Sequence, residues 1–172
     1  INSKVGSAGL ETVSPDVKLG PGGIREVEFF AQTQQLILGG RQPELRDRTT
    51  LGALAALTAA GVVERQTADE LETAYLALRN LEHRVQMRRD EQTHTVPAGE
   101  DDRRDVAMLC GYEDLAAFDR DLQATRRCVQ AHYDALFAHE DRALDESPLG
   151  NLVFTGVDDD PGTVETLASL GF

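Results

Sequence analysis

Between residues 67 and 90, apolar side chains fall at Leu71, Ala74, Tyr75, Leu78, Leu81 and Val85. Steps of three and four place them on one helical stripe and cannot match the two-residue period of a strand. Such a stripe must bury itself against other elements. The same spacing recurs at Ile24, Val27, Ala31 and Leu38, widened by Phe29, Phe30, Leu36 and Ile37. It recurs again at Leu115, Phe118, Leu122, Val129, Tyr133 and Leu136. No alternating run is long enough for a sheet. The pattern predicts an all-α chain, an antiparallel helical bundle of about five helices.

Local signals set the expected boundaries. After a short extended segment at 16–19 and a Gly20-Pro21-Gly22-Gly23 turn, a helix is expected over 24–38, stopped by Gly39-Gly40. Residues 41–48 carry Pro43 and read as a loop. Thr49 caps a helix through residue 60, and Gly61 ends it. Thr67 and Glu70 have capping-box form and open the long helix of residues 67–90. Pro97 keeps 93–97 extended. Helices over 101–110, ended by Gly111, and over 113–140 complete the set.

Three regions are expected: a connector at 1–15, the helical domain at 16–140, and an acidic linker at 141–172 with a short helix at 163–170. The first residue is Ile1, not Met, which reads as an excised piece of a longer protein. The net charge is −13. Nucleic acid and anionic membrane surfaces are therefore not expected partners. The linker holds Asp141, Asp145, Glu146, Asp158, Asp159, Asp160 and Glu165 against Arg142, so nearly half of that charge lies outside the helical domain. This leaves room for a local basic patch at Lys18, Arg25 and Arg79. The longest mostly apolar run, residues 51–63, is too short to span a bilayer. With no signal peptide either, a cytoplasmic location is expected.

Two places could carry chemistry. Lys18 and Arg25 flank the Gly20, Gly22, Gly23 turn at the start of a helix, where free N–H groups and the dipole suit a phosphate. The competing reading is a turn that needs positive φ before a helix. The motif is neither a Walker A loop nor the Rossmann fingerprint. On the long helix Arg79, His83, Gln86 and Asp90 share one face, flanked by Glu82 and Arg84. That face suits phosphate or carboxylate groups, or is a solvated face of internal pairs. His83, His94, His132 and His139 form no HxxxH or HExxH, Cys110 and Cys128 lack zinc spacing, and no cysteine is expected beside a partner histidine. His132 reads as a core-edge histidine. No metal site and no catalytic residue are expected in this chain.

The segments KLGPGGIREVEFF (18–30), GGRQPELR (39–46), LRNLEHRVQMRRDEQTHTVP (78–97) and GNLVFTGVDDDPGTVETLASLGF (150–172) closely resemble the bacterial glutamine synthetase adenylyltransferase/adenylyl-removing family. The resemblance implies the helical domain that follows the N-terminal, adenylyl-removing nucleotidyltransferase domain. Gly22-Gly23-Ile24-Arg25-Glu26 has the form typical of that half. A related helical domain occurs in PII uridylyltransferase, where Glu usually replaces Leu19 and Leu-Arg-Asp replaces Ile24-Arg25-Glu26. The resemblance implies glutamine synthetase, the PII signal-transduction protein and the parent's nucleotidyltransferase domains as partners. It implies Mg and ATP/ADP in the parent, bound mainly by a domain whose Gly-Ser and Asp-x-Asp carboxylates are missing here. It also turns Lys18, Gly20, Gly22, Gly23, Arg25, Glu26, Arg79, Glu82, His83 and Arg84 into the expected substrate- or phosphate-facing residues. On this view the domain walls the cleft and does no catalysis alone. The alternative is a protein-interaction module that binds PII or glutamine synthetase without nucleotide contact.

Overall fold

The structure, a computed structural model, describes residues 15–89 and 91–145. Its helices are α1 (Ile24–Leu38), α2 (Thr50–Ala59), α3 (Arg65–Arg89), α4 (Glu100–Leu109) and α5 (Leu115–Asp145). Among the described residues there are five α-helices and no strand, as the apolar spacing predicts. The chain divides into two compact units, 1–133 and 134–172. The first holds α1 to α4 and most of α5, and the described part of the second is the last stretch of α5. The expected helix at 163–170 lies outside the described residues.

In the first unit α1 packs on α2 and α3, α2 on α3, and α3 on α4. The predicted stripe of α3 is buried at Leu71, Ala74, Leu78, Leu81 and Val85. It meets Ile24, Val27, Phe30 and Ala31 of α1 and Ala53, Leu54 and Leu57 of α2 in the core. Burying one such leucine is worth about 1.5–3 kcal/mol, so the shared stripe is the main source of cohesion.

Several local details differ from expectation. Helix α3 starts at Arg65, where the Ala68 amide bonds to the Glu64 carbonyl. Thr67 is therefore inside the helix, and Glu70 turns its carboxylate to Gln66 and His132 instead of closing a capping box. Asp114 caps α5 through the amides of Ala116 and Ala117. That sets the start at Leu115, and the helix runs on to Asp145. The 41–48 loop contains a 3-10 turn, Pro43–Leu45, that plants Leu45 in the core with no exposed surface. Thr49 does cap α2, accepting from the Gly52 amide at 3.1 Å. The segment at 16–19 is a turn, not a strand. Only Asp16 bridges to Thr95, in an antiparallel sense.

Candidate functional site

The 16–18 turn and the 94–96 segment are tied backbone to backbone. The Val17 amide donates to the His94 carbonyl at 2.9 Å, and Val96 donates to Pro15 at 2.9 Å. This brings Lys18 and His94 over the middle of α3. Glu82 follows Leu78 by one helical turn and Leu81 by one residue, so the apolar stripe carries it into the core. Its side chain is 2% exposed.

Three groups surround that carboxylate. Arg79 Nη1 donates to Glu82 Oε2 at 2.6 Å, and Lys18 Nζ lies 3.1 Å from Oε1. His94 Nδ1 faces Oε1 from 4.0 Å, too far to bond. Glu82 Oε1 and His94 Nδ1 are both buried without a hydrogen-bond partner, so the Lys18 contact is an ion pair outside hydrogen-bond geometry. Lys18 and Arg79 are about one-third exposed at the side chain. Two cations around one carboxylate leave a net positive rim on an acidic chain, with N–H donors to spare on both. That rim can take an oxyanion.

The remaining expected residues are placed elsewhere. Arg25 is exposed on α1 and pairs with Glu28 at 3.3 Å. His83 is exposed. Arg84 is half-buried, its Nε without a partner and its Nη1 3.8 Å from the Met87 sulfur. Asp90 lies outside the described residues. Of the predicted set, then, the fold joins Lys18, Arg79 and Glu82. Sequence reasoning passed over His94, whose proximity depends on the Asp16–Thr95 bridge.

The glycine turn is closed on itself. The Gly23, Ile24 and Arg25 amides donate to the carbonyls of Gly20, Val17 and Lys18, each at 3.0 Å. The Gly22 amide donates to Glu26 Oε2 at 2.9 Å. The expectation of free N–H groups at this helix start is thus corrected: these amides already have acceptors. Gly22 has φ +68°, the positive value of the competing turn reading. Arg126 of α5, only 4% exposed, clamps the turn from outside. Burial lowers its pKa, opposed by the charges of Asp16 and Glu26.

The expectation that no cysteine stands beside a partner histidine is also corrected. Cys128 and His132 are one turn apart on α5, and both face Glu70. Among the described residues this is the one His/Cys/carboxylate group close enough to share a cation. Its sulfur and nitrogen donors do not fit Mg²⁺, which takes oxygen ligands.

No helix among the described residues is long and apolar enough to cross a membrane. The family model described as GlnD PII-uridylyltransferase matches residues 4–137. A bifunctional glutamine synthetase adenylyltransferase/adenylyl-removing enzyme of Agrobacterium fabrum is 51% identical over 172 residues, all of this chain and 17% of the relative. Proteins of the same name from Rhizobium meliloti and Caulobacter vibrioides are 48% and 53% identical, over 100% and 95% of this chain. The chain spans about one-sixth of the length of these relatives.

Proposed function

The chain belongs to the GlnD PII-uridylyltransferase family, and from that premise we propose that it is the helical domain of the adenylyl-removing half of a glutamine synthetase adenylyltransferase. Identity near 50% along the whole chain to enzymes of that name is the observation that carries this reading over the uridylyltransferase alternative. The domain contacts substrate and regulator, and helps control the reversible adenylylation of glutamine synthetase. Its partners are glutamine synthetase, the PII protein and the parent's nucleotidyltransferase domains. ATP, ADP and Mg²⁺ act mainly on those domains, in the cytoplasm.

The basic rim supports a role in orienting an anionic group. Lys18 and Arg79 are held in place by a buried carboxylate, so little side-chain freedom is lost when an oxyanion arrives. Arg25, exposed on α1, offers a separate cation for a protein or phosphate group. The chain alone performs no phosphorolysis.

Calorimetric titration of ADP and phosphate into the chain tests this. Binding that disappears in Arg79→Ala or Lys18→Ala supports nucleotide contact. Release of ADP from adenylylated glutamine synthetase by the chain alone overturns the assignment of catalysis to another domain. A second reading, a docking module for PII or glutamine synthetase, is favoured by Phe29, Leu36 and Ile37, which α1 leaves exposed. Heat from PII with none from nucleotide selects it.

A further inference from the structure

We infer that Glu70, Cys128 and His132 form a binding site for a zinc-like divalent cation between α3 and α5. Their ligand atoms all lie within 4.8 Å of one another. His132 Nε2 is 2.7 Å from Glu70 Oε2, and Cys128 Sγ is 3.9 Å from the same oxygen. In a tetrahedral site with metal–ligand bonds of about 2.0–2.3 Å, neighbouring ligand atoms stand about 3.3–3.8 Å apart. The sulfur–oxygen pair, at 3.9 Å, has to close only slightly. The nitrogen–oxygen pair has to open by roughly half an ångström, as expected when a cation replaces a shared proton.

The donor set is selective. A thiolate, an imidazole and a carboxylate are the mixed ligands that Zn²⁺ accepts and that Mg²⁺ and Ca²⁺ do not. Cys128 and His132 share one face of α5 because they are four residues apart. Glu70 comes from α3 and is oriented from behind. Gln66 Nε2 donates to its Oε1 at 2.9 Å, leaving Oε2 turned to the cysteine and histidine. Such outer hydrogen bonds are what fix a ligating carboxylate.

The site is also reachable. Glu70 and Cys128 line an open groove of about 750 Å³ together with Arg65, Asp69, Thr73 and Thr125. Three protein ligands beside an open groove leave the fourth position to water or a small ligand. Binding displaces the thiol proton to solvent, and the imidazole meets the cation through an Nε2 that carries no proton. The dication then balances one thiolate and one carboxylate.

Cobalt titration of the chain, reduced with a phosphine, tests the site. The expected result is one Co²⁺ per chain with a near-ultraviolet thiolate-to-cobalt band, displaced by Zn²⁺. The band is retained in Cys110→Ser and lost in Cys128→Ser, with both variants folded by circular dichroism. Gln66→Ala, which touches no ligand atom directly, weakens Co²⁺ by about ten- to a hundred-fold while keeping the band. No thiolate band in the wild type overturns the site, and so does a band that survives Cys128→Ser. Equal Co²⁺ affinity in His132→Ala does the same.

Discussion

Arg126 donates to the Pro21 carbonyl through both Nε at 2.9 Å and Nη2 at 2.8 Å, far across the chain. The same Nη2 reaches the Asp16 carbonyl at 3.1 Å. One α5 side chain thus holds the whole turn that precedes α1, and with it Lys18. The basic rim at Lys18 and Arg79 depends on a helix that contributes no atom to it.

Gly22→Ala is therefore expected to be strongly destabilising. A Cβ at Gly22 would come within 2.2 Å of the Arg126 carbonyl oxygen, at a φ that L-residues rarely adopt. The left-handed conformation alone costs about 1–2 kcal/mol, and the main-chain clash adds about 1–3 kcal/mol. Urea unfolding gives the value. A loss under about 1 kcal/mol means the turn can move away from α5.

Removing the clamp itself gives an independent measure. Arg126→Met keeps length and apolar packing but leaves the Pro21 and Asp16 carbonyls without this donor. Both carbonyls are only part-buried, so the expected loss is that of hydrogen bonds from a charged donor, about 1.5–3 kcal/mol, read by the same urea unfolding. Relief of desolvating the guanidinium works against that loss. An unchanged midpoint shows that the clamp is replaceable.

These two sites show what was legible in the sequence. Helix periodicity was readable because a stripe such as Leu71 to Val85 repeats with the turn of the helix itself. Gly22 was readable as a turn glycine. The saturation of its own amide and its neighbours' was not, because it depends on Glu26 folding back and on the carbonyls of Val17, Lys18 and Gly20. The start of α3 was misplaced because Thr67 and Glu70 satisfy the capping pattern, while Glu70 has its partners on α5 and at Gln66. The spacing of Cys128 and His132 was visible, but their common partner lies on another helix.

Glu82→Gln isolates the charge at the rim. The amide keeps the shape but removes the charge that holds Arg79 at 2.6 Å and Lys18 at 3.1 Å. Breaking a fully buried pair costs about 3–5 kcal/mol. Here both cations are partly solvated, so about 1–2 kcal/mol is expected. Thermal melts measure it, and addition of Lys18→Ala should then cost little further stability. Full additivity of the two changes indicates that the pair is not coupled.

Asp47 gives an acid-dependent term. Its carboxylate accepts from the Thr49 amide and hydroxyl, both at 2.8 Å, and the amide bond is the main cause of its lowered pKa. A carboxylate depressed on folding stabilises above its unfolded value of about 3.9. That contribution is lost as pH falls through the lower folded value. The melting temperature of wild type should exceed that of Asp47→Asn at about pH 6, and the gap should close as pH falls through the lowered folded-state value. A gap that is constant across this range places the stabilisation in shape, not charge.

Arg25→Ala separates surface function from stability. Its side chain is 60% exposed, and its contact is Glu28 on the same helix. Exposed helix pairs at three- or four-residue spacing contribute about 0.2–0.5 kcal/mol. The variant should therefore unfold within about 0.5 kcal/mol of wild type. If the side chain contacts glutamine synthetase or PII, the parent enzyme carrying it should lose deadenylylation rate with unaltered melting. Lys18→Ala should differ, because it releases one of the two cations from buried Glu82 and so shifts both readings. Equal deadenylylation rates in wild-type and Arg25→Ala parent enzymes would confine the anion-facing surface to Lys18 and Arg79, and would leave α1 as scaffold.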